Sequence, residues 1–201
     1  MMDLWQLPVR ATLDGQTFDL HTDYRDILEI FSYLEDPDLP EPVRWRIALA
    51  LFYEQPVPED MLQSALDYLV DFLQCGQTDR PGPRLMDWQH DAQAILAGVN
   101  RVAGKEVRAL PYVHWWSFLS WFHAMEPGQL STLVSIRQRL RQGKPLESWQ
   151  KEFYRENRRA VELPVRRSSL EKQQCRQLLA RLDREGENHG TKESALCRGS
   201  G

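Results

Sequence analysis

Tyr112-Val113-His114-Trp115-Trp116-Ser117-Phe118-Leu119-Ser120-Trp121-Phe122 holds three Trp, two Phe and a Tyr in eleven positions. Pro111 stands just before it, and Pro127-Gly128 ends the run a few residues later. At helical spacing, Trp115, Trp116, Phe118, Leu119 and Phe122 point several ways, the pattern of a helix enclosed on most sides. Large aromatics dominate core burial, so this stretch is expected at the centre of the molecule, with His114 and Ser117 reaching its rim. A second use stays open for the same rings, an exposed patch that grips a partner helix.

Working outward, the chain reads as mainly α: one multi-helix domain with a short N-terminal β-hairpin. Val9, Ala11 and Leu13 alternate before Asp14-Gly15, and Phe18 and Leu20 alternate after it, a strong hairpin signal. Thr22 or Asp23 then suits the N-cap of a first helix, with Tyr24, Ile27, Leu28, Phe31 and Leu34 as its apolar stripe. Further helices are expected over Val43–Tyr53, opened by Pro42, over Glu59–Gln74 and over Leu85–Arg101. Cys75-Gly76 suits a helix C-cap, and residues 76–84 form a loop. Beyond the aromatic helix, Leu130–Leu140 and Leu146–Val161 read as helical. The domain is expected to span residues 1–163. Residues 164–184 read as a charged C-terminal helix opened by a capping box from Ser168 to Glu171, and residues 185–201 as a disordered tail.

The 201 residues are 42% hydrophobic and 27% charged, which supports a packed core. Charge is split: residues 1–90 hold 17 acids against 6 bases, a net of −11, and residues 91–201 hold 12 against 19, a net of +7. Such halves suit head-to-tail self-association, or mutual neutralisation within one monomer. Cys75, Cys175 and Cys197 form no metal-binding or disulfide pattern, which fits a cytoplasmic protein. No signal peptide and no membrane span are read.

Catalytic signals are missing. No nucleophile elbow, phosphate loop or dinucleotide fingerprint occurs, and His21, His90, His114, His123 and His189 are scattered. Asp36-Pro37-Asp38 lacks the glycine and terminal glutamate of a calcium loop. The expectation is no enzyme activity, no catalytic residues, no cofactor and no metal. The basic stretch 131–184, with Arg155, Arg158, Arg159, Arg166 and Arg167, offers a candidate patch for nucleic acid. Interleaved glutamates at helical spacing make that partner the less favoured one.

Three pieces resemble the bacteriophage gene-product-fifteen family of phages and prophages of Gram-positive bacteria: Thr22-Asp23-Tyr24-Arg25-Asp26-Ile27, Pro42 to Tyr53, and His114-Trp115-Trp116-x-Phe118 followed by Ile136-Arg137. The resemblance covers roughly residues 17–163. A proline-rich start to the link between residues 76 and 112, and the extension past Pro164, depart from it. The family's genes sit beside those of the tape measure protein. The resemblance therefore implies a tail-assembly chaperone whose partners are the tape measure protein or other tail proteins. It supplies no catalytic residues. His114, Trp115, Trp116, Phe118, Trp121 and Arg137 are the candidate partner-binding or core motif.

Overall fold

The computed structural model describes residues 5–75, 82–174 and 176. Strands β1 (Arg10–Leu13) and β2 (Gln16–Asp19) pair antiparallel, with Ala11 opposite Phe18 and Leu13 opposite Gln16. Asp14 and Gly15 take positive φ values of 47° and 87°, the two left-handed residues that a tight primed turn requires. Ala11, Leu13, Phe18 and Leu20 are buried. A hairpin alone is marginal in water, and this one is held from both sides. Tyr68 Oη donates to Arg10 O, while the far edge pairs with the segment at Tyr53: His21 N–H donates to Phe52 O and Glu54 N–H to Asp19 O.

Helix α1 (Tyr24–Leu34) is capped by Asp23, whose side chain accepts the Arg25 N–H. It buries Tyr24, Ile27 and Ile30. Helix α2 (Glu41–Phe52) opens at Pro40 with a second proline in its first turn. A 3₁₀ turn, Glu59–Met61, leads into α3 (Leu62–Leu73), which buries Ala65, Leu69 and Phe72. Cys75 closes α3 in the left-handed conformation at φ 53°. Gly76, its expected companion in the cap, lies outside the described residues. Helix α4 (Ala92–Ala103) stops at Gly104, where φ of 68° suits glycine. Helices α5 (Trp115–His123), α6 (Gln129–Arg141), α7 (Ser148–Glu156) and α8 (Arg158–Val161) complete the domain.

Two expected helices differ. The fourth begins at Ala92 rather than near Leu85. The Asp87 carboxylate accepts the N–H groups of Gln89 and His90, which satisfies them locally and holds residues 88–91 in a turn. The stretch Leu146–Val161 is two helices, broken at Asn157, whose side-chain amide donates to Phe153 O.

The main core joins the hairpin, α1, α2, α3, α4 and α5. A smaller cluster of Ala94, Leu133, Ile136 and Val161 joins α4 to α6 and α8. Helix α4 contributes to both, with Ile95 and Val99 in one and Ala94 in the other. Residues 169–174 are helical, and Ser168 and Glu171 exchange the expected reciprocal capping bonds. The remainder of the expected C-terminal helix and the expected tail, residues 185–201, lie outside the described residues.

Candidate functional site

Two of the sequence pieces singled out above meet. Residues 22–25 and 112–115 lie some ninety positions apart, yet they form one short antiparallel junction between Asp23 and His114. Tyr24 N–H donates to Val113 O at 2.9 Å and Trp115 N–H to Thr22 O at 2.8 Å. Asp23 Oδ2 accepts the Val113 N–H at 2.9 Å while its Oδ1 caps α1. Thr22 Oγ1 and Tyr112 Oη share a hydrogen bond of 2.6 Å. Arg25 lies over the Tyr24 ring and donates to Leu110 O, and Tyr24 stacks on Phe118 with centroids 4.5 Å apart. One carboxylate, Asp23, thus starts a helix and anchors the strand that starts another.

His114 is the N-cap of α5, and the expectation that it reaches the rim is corrected: it is 2% exposed. Its Nδ1 accepts the Trp116 N–H at 3.1 Å, and its Nε2 stands 3.1 Å from Pro8 O. A carbonyl only accepts, so Nε2 carries the proton and the ring is neutral. The two tryptophans that follow point their indole N–H groups at the end of another helix. Trp115 Nε1 donates to Leu73 O at 3.1 Å and Trp116 Nε1 to Phe72 O at 2.9 Å. These carbonyls belong to the last turn of α3, where partners from outside the helix are needed. The His-Trp-Trp triplet therefore caps two helices at once.

Burial pushes the His114 pKa below its ordinary 6.5, and the Pro8 hydrogen bond only partly opposes this. The unfolded chain then takes up a proton at a pH where the folded chain does not. Stability is full above about pH 6.5 and falls as pH drops through the depressed folded value. His114→Asn keeps an N-cap acceptor without the titration. Urea titrations between about pH 7 and 5 should show a smaller loss of stability for this variant than for the native chain. Equal losses would show that His114 does not titrate with folding.

Trp115, Phe118, Phe31, Trp88 and Phe122 form a continuous ring cluster beneath this junction. Trp115, Trp116, Phe118 and Leu119 are buried, whereas Trp121 and Phe122 are half-buried. Trp88 belongs to the cluster although nothing in the sequence pattern singled it out. Its place follows from the turn at residues 88–91.

Arg137 lies apart from the tryptophans and is the centre of a second construction. Its side chain is 5% exposed and that of Asp91 1%. Nη1 and Nη2 donate to the two Asp91 oxygens at 2.7 Å each, a bidentate pair. Nε donates to Val161 O at 2.8 Å, Nη1 to Leu85 O at 2.9 Å and Nη2 to Ala160 O at 2.7 Å. All five guanidinium N–H groups have acceptors. Asp91 Oδ2 also accepts the Asp87 N–H. Asp87 in turn holds Arg84 and Arg166, the latter at 2.8 Å. Burial alone would push the Asp87 carboxyl up. The Arg166 hydrogen bond, the His90 N–H, the Arg166 charge and the Gln89 N–H outweigh it and hold the group well below the ordinary carboxylate range.

The candidate basic patch is only partly available. Arg166 bridges Asp87 and Glu35, and Arg158 pairs with Glu162 across one helical turn. Ser169 donates through both its N–H and its hydroxyl to Asp38. The Arg166 and Ser169 contacts join bases and donors of the C-terminal half to acids of the N-terminal half. Arg155, Arg159 and Arg167 are exposed, and Arg155 and Arg159 form no ion pair among the described residues.

A cleft of about 420 Å³ lies between α4 and the turn from α5 to α6, lined by Ala94, Ala97, Gly98, Met125 and Val134 with Arg101 and Glu126 at its edge. Among the described residues no helix is long and apolar enough to cross a membrane.

Among the described residues a hairpin, helices α1 to α8 and the helical residues 169–174 make a mainly helical protein whose most distinctive residues are committed to internal junctions. The chain belongs to the Bacteriophage Gp15 protein family, whose family model matches residues 4–163. No curated protein and no solved structure matches it. The matched segment ends just before Pro164, where the C-terminal extension begins.

Proposed function

We propose that the chain is a non-catalytic tail-assembly protein that binds the tape measure protein in the host cytoplasm before tail-tube subunits polymerise around it. Membership of the phage family over residues 4–163 carries this reading, and the resemblance implies a gene position beside that of the tape measure protein. The geometry is compatible with it. The buried groups described above are consumed by hydrogen bonds and ion pairs that hold helices together, as suits a scaffold that presents a surface. A long helical partner would be read by apolar side chains at helical spacing, set in grooves between helices.

Isothermal titration of the full chain against overlapping fragments of the tape measure protein tests this. At least one fragment is expected to bind at micromolar concentration or tighter, with a negative heat-capacity change from apolar burial. The nucleic-acid reading predicts instead a shift of DNA or RNA mobility that weakens steeply as salt rises. Absence of binding to every fragment would overturn the chaperone role.

A further inference from the structure

We propose that residues 164–174 form a strap, held shut by polar contacts to the acidic half, which opens about Pro164 while the domain beneath it stays folded. The strap begins where the family-matched segment ends, at residue 163. Its two large apolar side chains do not hold it down: Val165 is 71% exposed and Leu170 63%. Its grip is charged and hydrogen-bonded instead. Arg166 bridges Glu35, the C-cap of α1, and Asp87 in the turn before α4. Ser169 then gives its N–H and its hydroxyl to Asp38, which lies between α1 and α2. Those two donors, with the charge of Lys172 nearby, hold the Asp38 carboxyl below its ordinary value, so the group is ionised while the strap is closed.

Opening leaves no buried group stranded. The pivot is fixed independently of Arg166, because Arg84 donates to Pro164 O at 3.1 Å and pairs with Asp87. The Asp87 side chain is 2% exposed, and a buried carboxylate stripped of its cation is strongly destabilising. Asp87 escapes that penalty when Arg166 leaves, since it keeps Arg84 and the N–H groups of Gln89 and His90. Glu35 is half-buried and Asp38 exposed, so water replaces their strap contacts. Arg137 is the opposite case: its departure would leave Asp91 buried with no cation.

The two kinds of contact also answer differently to salt. The screening length falls from about 10 Å at 0.1 M to about 3 Å at 1 M, which weakens ion pairs near the surface and leaves apolar packing in place. Salt therefore separates the strap from the core. The closed strap keeps Glu35 and Asp38 occupied, and the open one returns both carboxylates to solvent. The device goes beyond the tape-measure reading and does not depend on it.

Hydrogen exchange of the full chain, read by mass spectrometry at about 0.05 M and about 1 M NaCl, tests the strap. The amides of residues 169–174 should exchange at least about tenfold faster at high salt, while those of α1 and α5 stay within about twofold. Arg166→Ala should produce the same acceleration at low salt. Ser169→Asp sets a carboxylate against Asp38 and should also open the strap; adding Asp38→Arg should close it again. This second pair lies at the surface and stays informative should Arg166→Ala lower the melting temperature. Strap amides indifferent to salt or to Arg166→Ala would overturn the proposal. So would core amides that accelerate along with the strap, or a failure of Asp38→Arg to restore protection in Ser169→Asp.

Discussion

Arg137→Ala is expected to lower the free energy of unfolding by about 3–5 kcal/mol, because it leaves the Asp91 carboxylate buried without its cation. The loss exceeds that of an ordinary ion pair, since the same guanidinium also serves the carbonyls of Leu85, Ala160 and Val161. Arg137→Lys should recover only part of it, because an ammonium has three donors and no planar fork. Urea denaturation gives the magnitudes, and hydrogen exchange gives the location. Protection should fall most around α8 and the segment near Leu85, where those carbonyls lie. A loss below about 1 kcal/mol would place Arg137 among ordinary surface pairs and contradict the geometry described here.

Trp115→Ala should cost a similar amount, about 3–5 kcal/mol, as a large buried ring is replaced by a cavity. Trp115 is 1% exposed and packs against Phe31, Trp88 and Phe118. Trp115→Phe divides the effect. It keeps most of the apolar volume but removes the N–H that serves Leu73 O, an additional cost of about 1 kcal/mol for the orphaned acceptor. Trp116→Phe repeats the experiment at Phe72 O. Because the two indoles cap the same helix, the double variant should depart from additivity. Melting temperatures unchanged in both Trp115→Ala and Trp116→Ala would refute a central role for α5.

The features legible from sequence were those governed by neighbours along the chain. Asp14-Gly15 specifies its turn because few other pairs accept two positive φ angles. Asp23 announces a helix start, and the aromatic run announces a buried helix. His114 was misplaced at the rim because its burial depends on Pro8, more than a hundred positions away. The start of α4 was misjudged for a related reason. Leu85 to Asp91 carries acceptable helical periodicity, but the Asp87 side chain competes for the N–H groups that a helix would use.

The Asp91–Arg137 pair left no trace in the sequence, since its partners are 46 positions apart and follow no period. Arg137 is marked in the sequence only by the basic turn of its helix and by the family motif. The basic stretch 131–184 offers a candidate patch by count, but Arg166 within it is spent on Glu35 and Asp87 of the acidic half. Charge counts register sign and abundance but not pairing, and only the fold decides which charges remain available.

The junction between Thr22–Arg25 and Tyr112–Trp115 also sets a timetable for synthesis. A ribosome adding about 5–20 residues per second needs roughly 5–20 s to travel from Thr22 to Trp115. Throughout that interval Tyr24 waits for its partners, the Val113 carbonyl and the Phe118 ring. The N-terminal half therefore waits as a nascent chain with a net charge of −11 over residues 1–90, and like charge opposes contact with its neighbours on the same polysome. Only when Trp115 and Trp116 emerge can α3 receive its two caps, so closure of the main core is a late event.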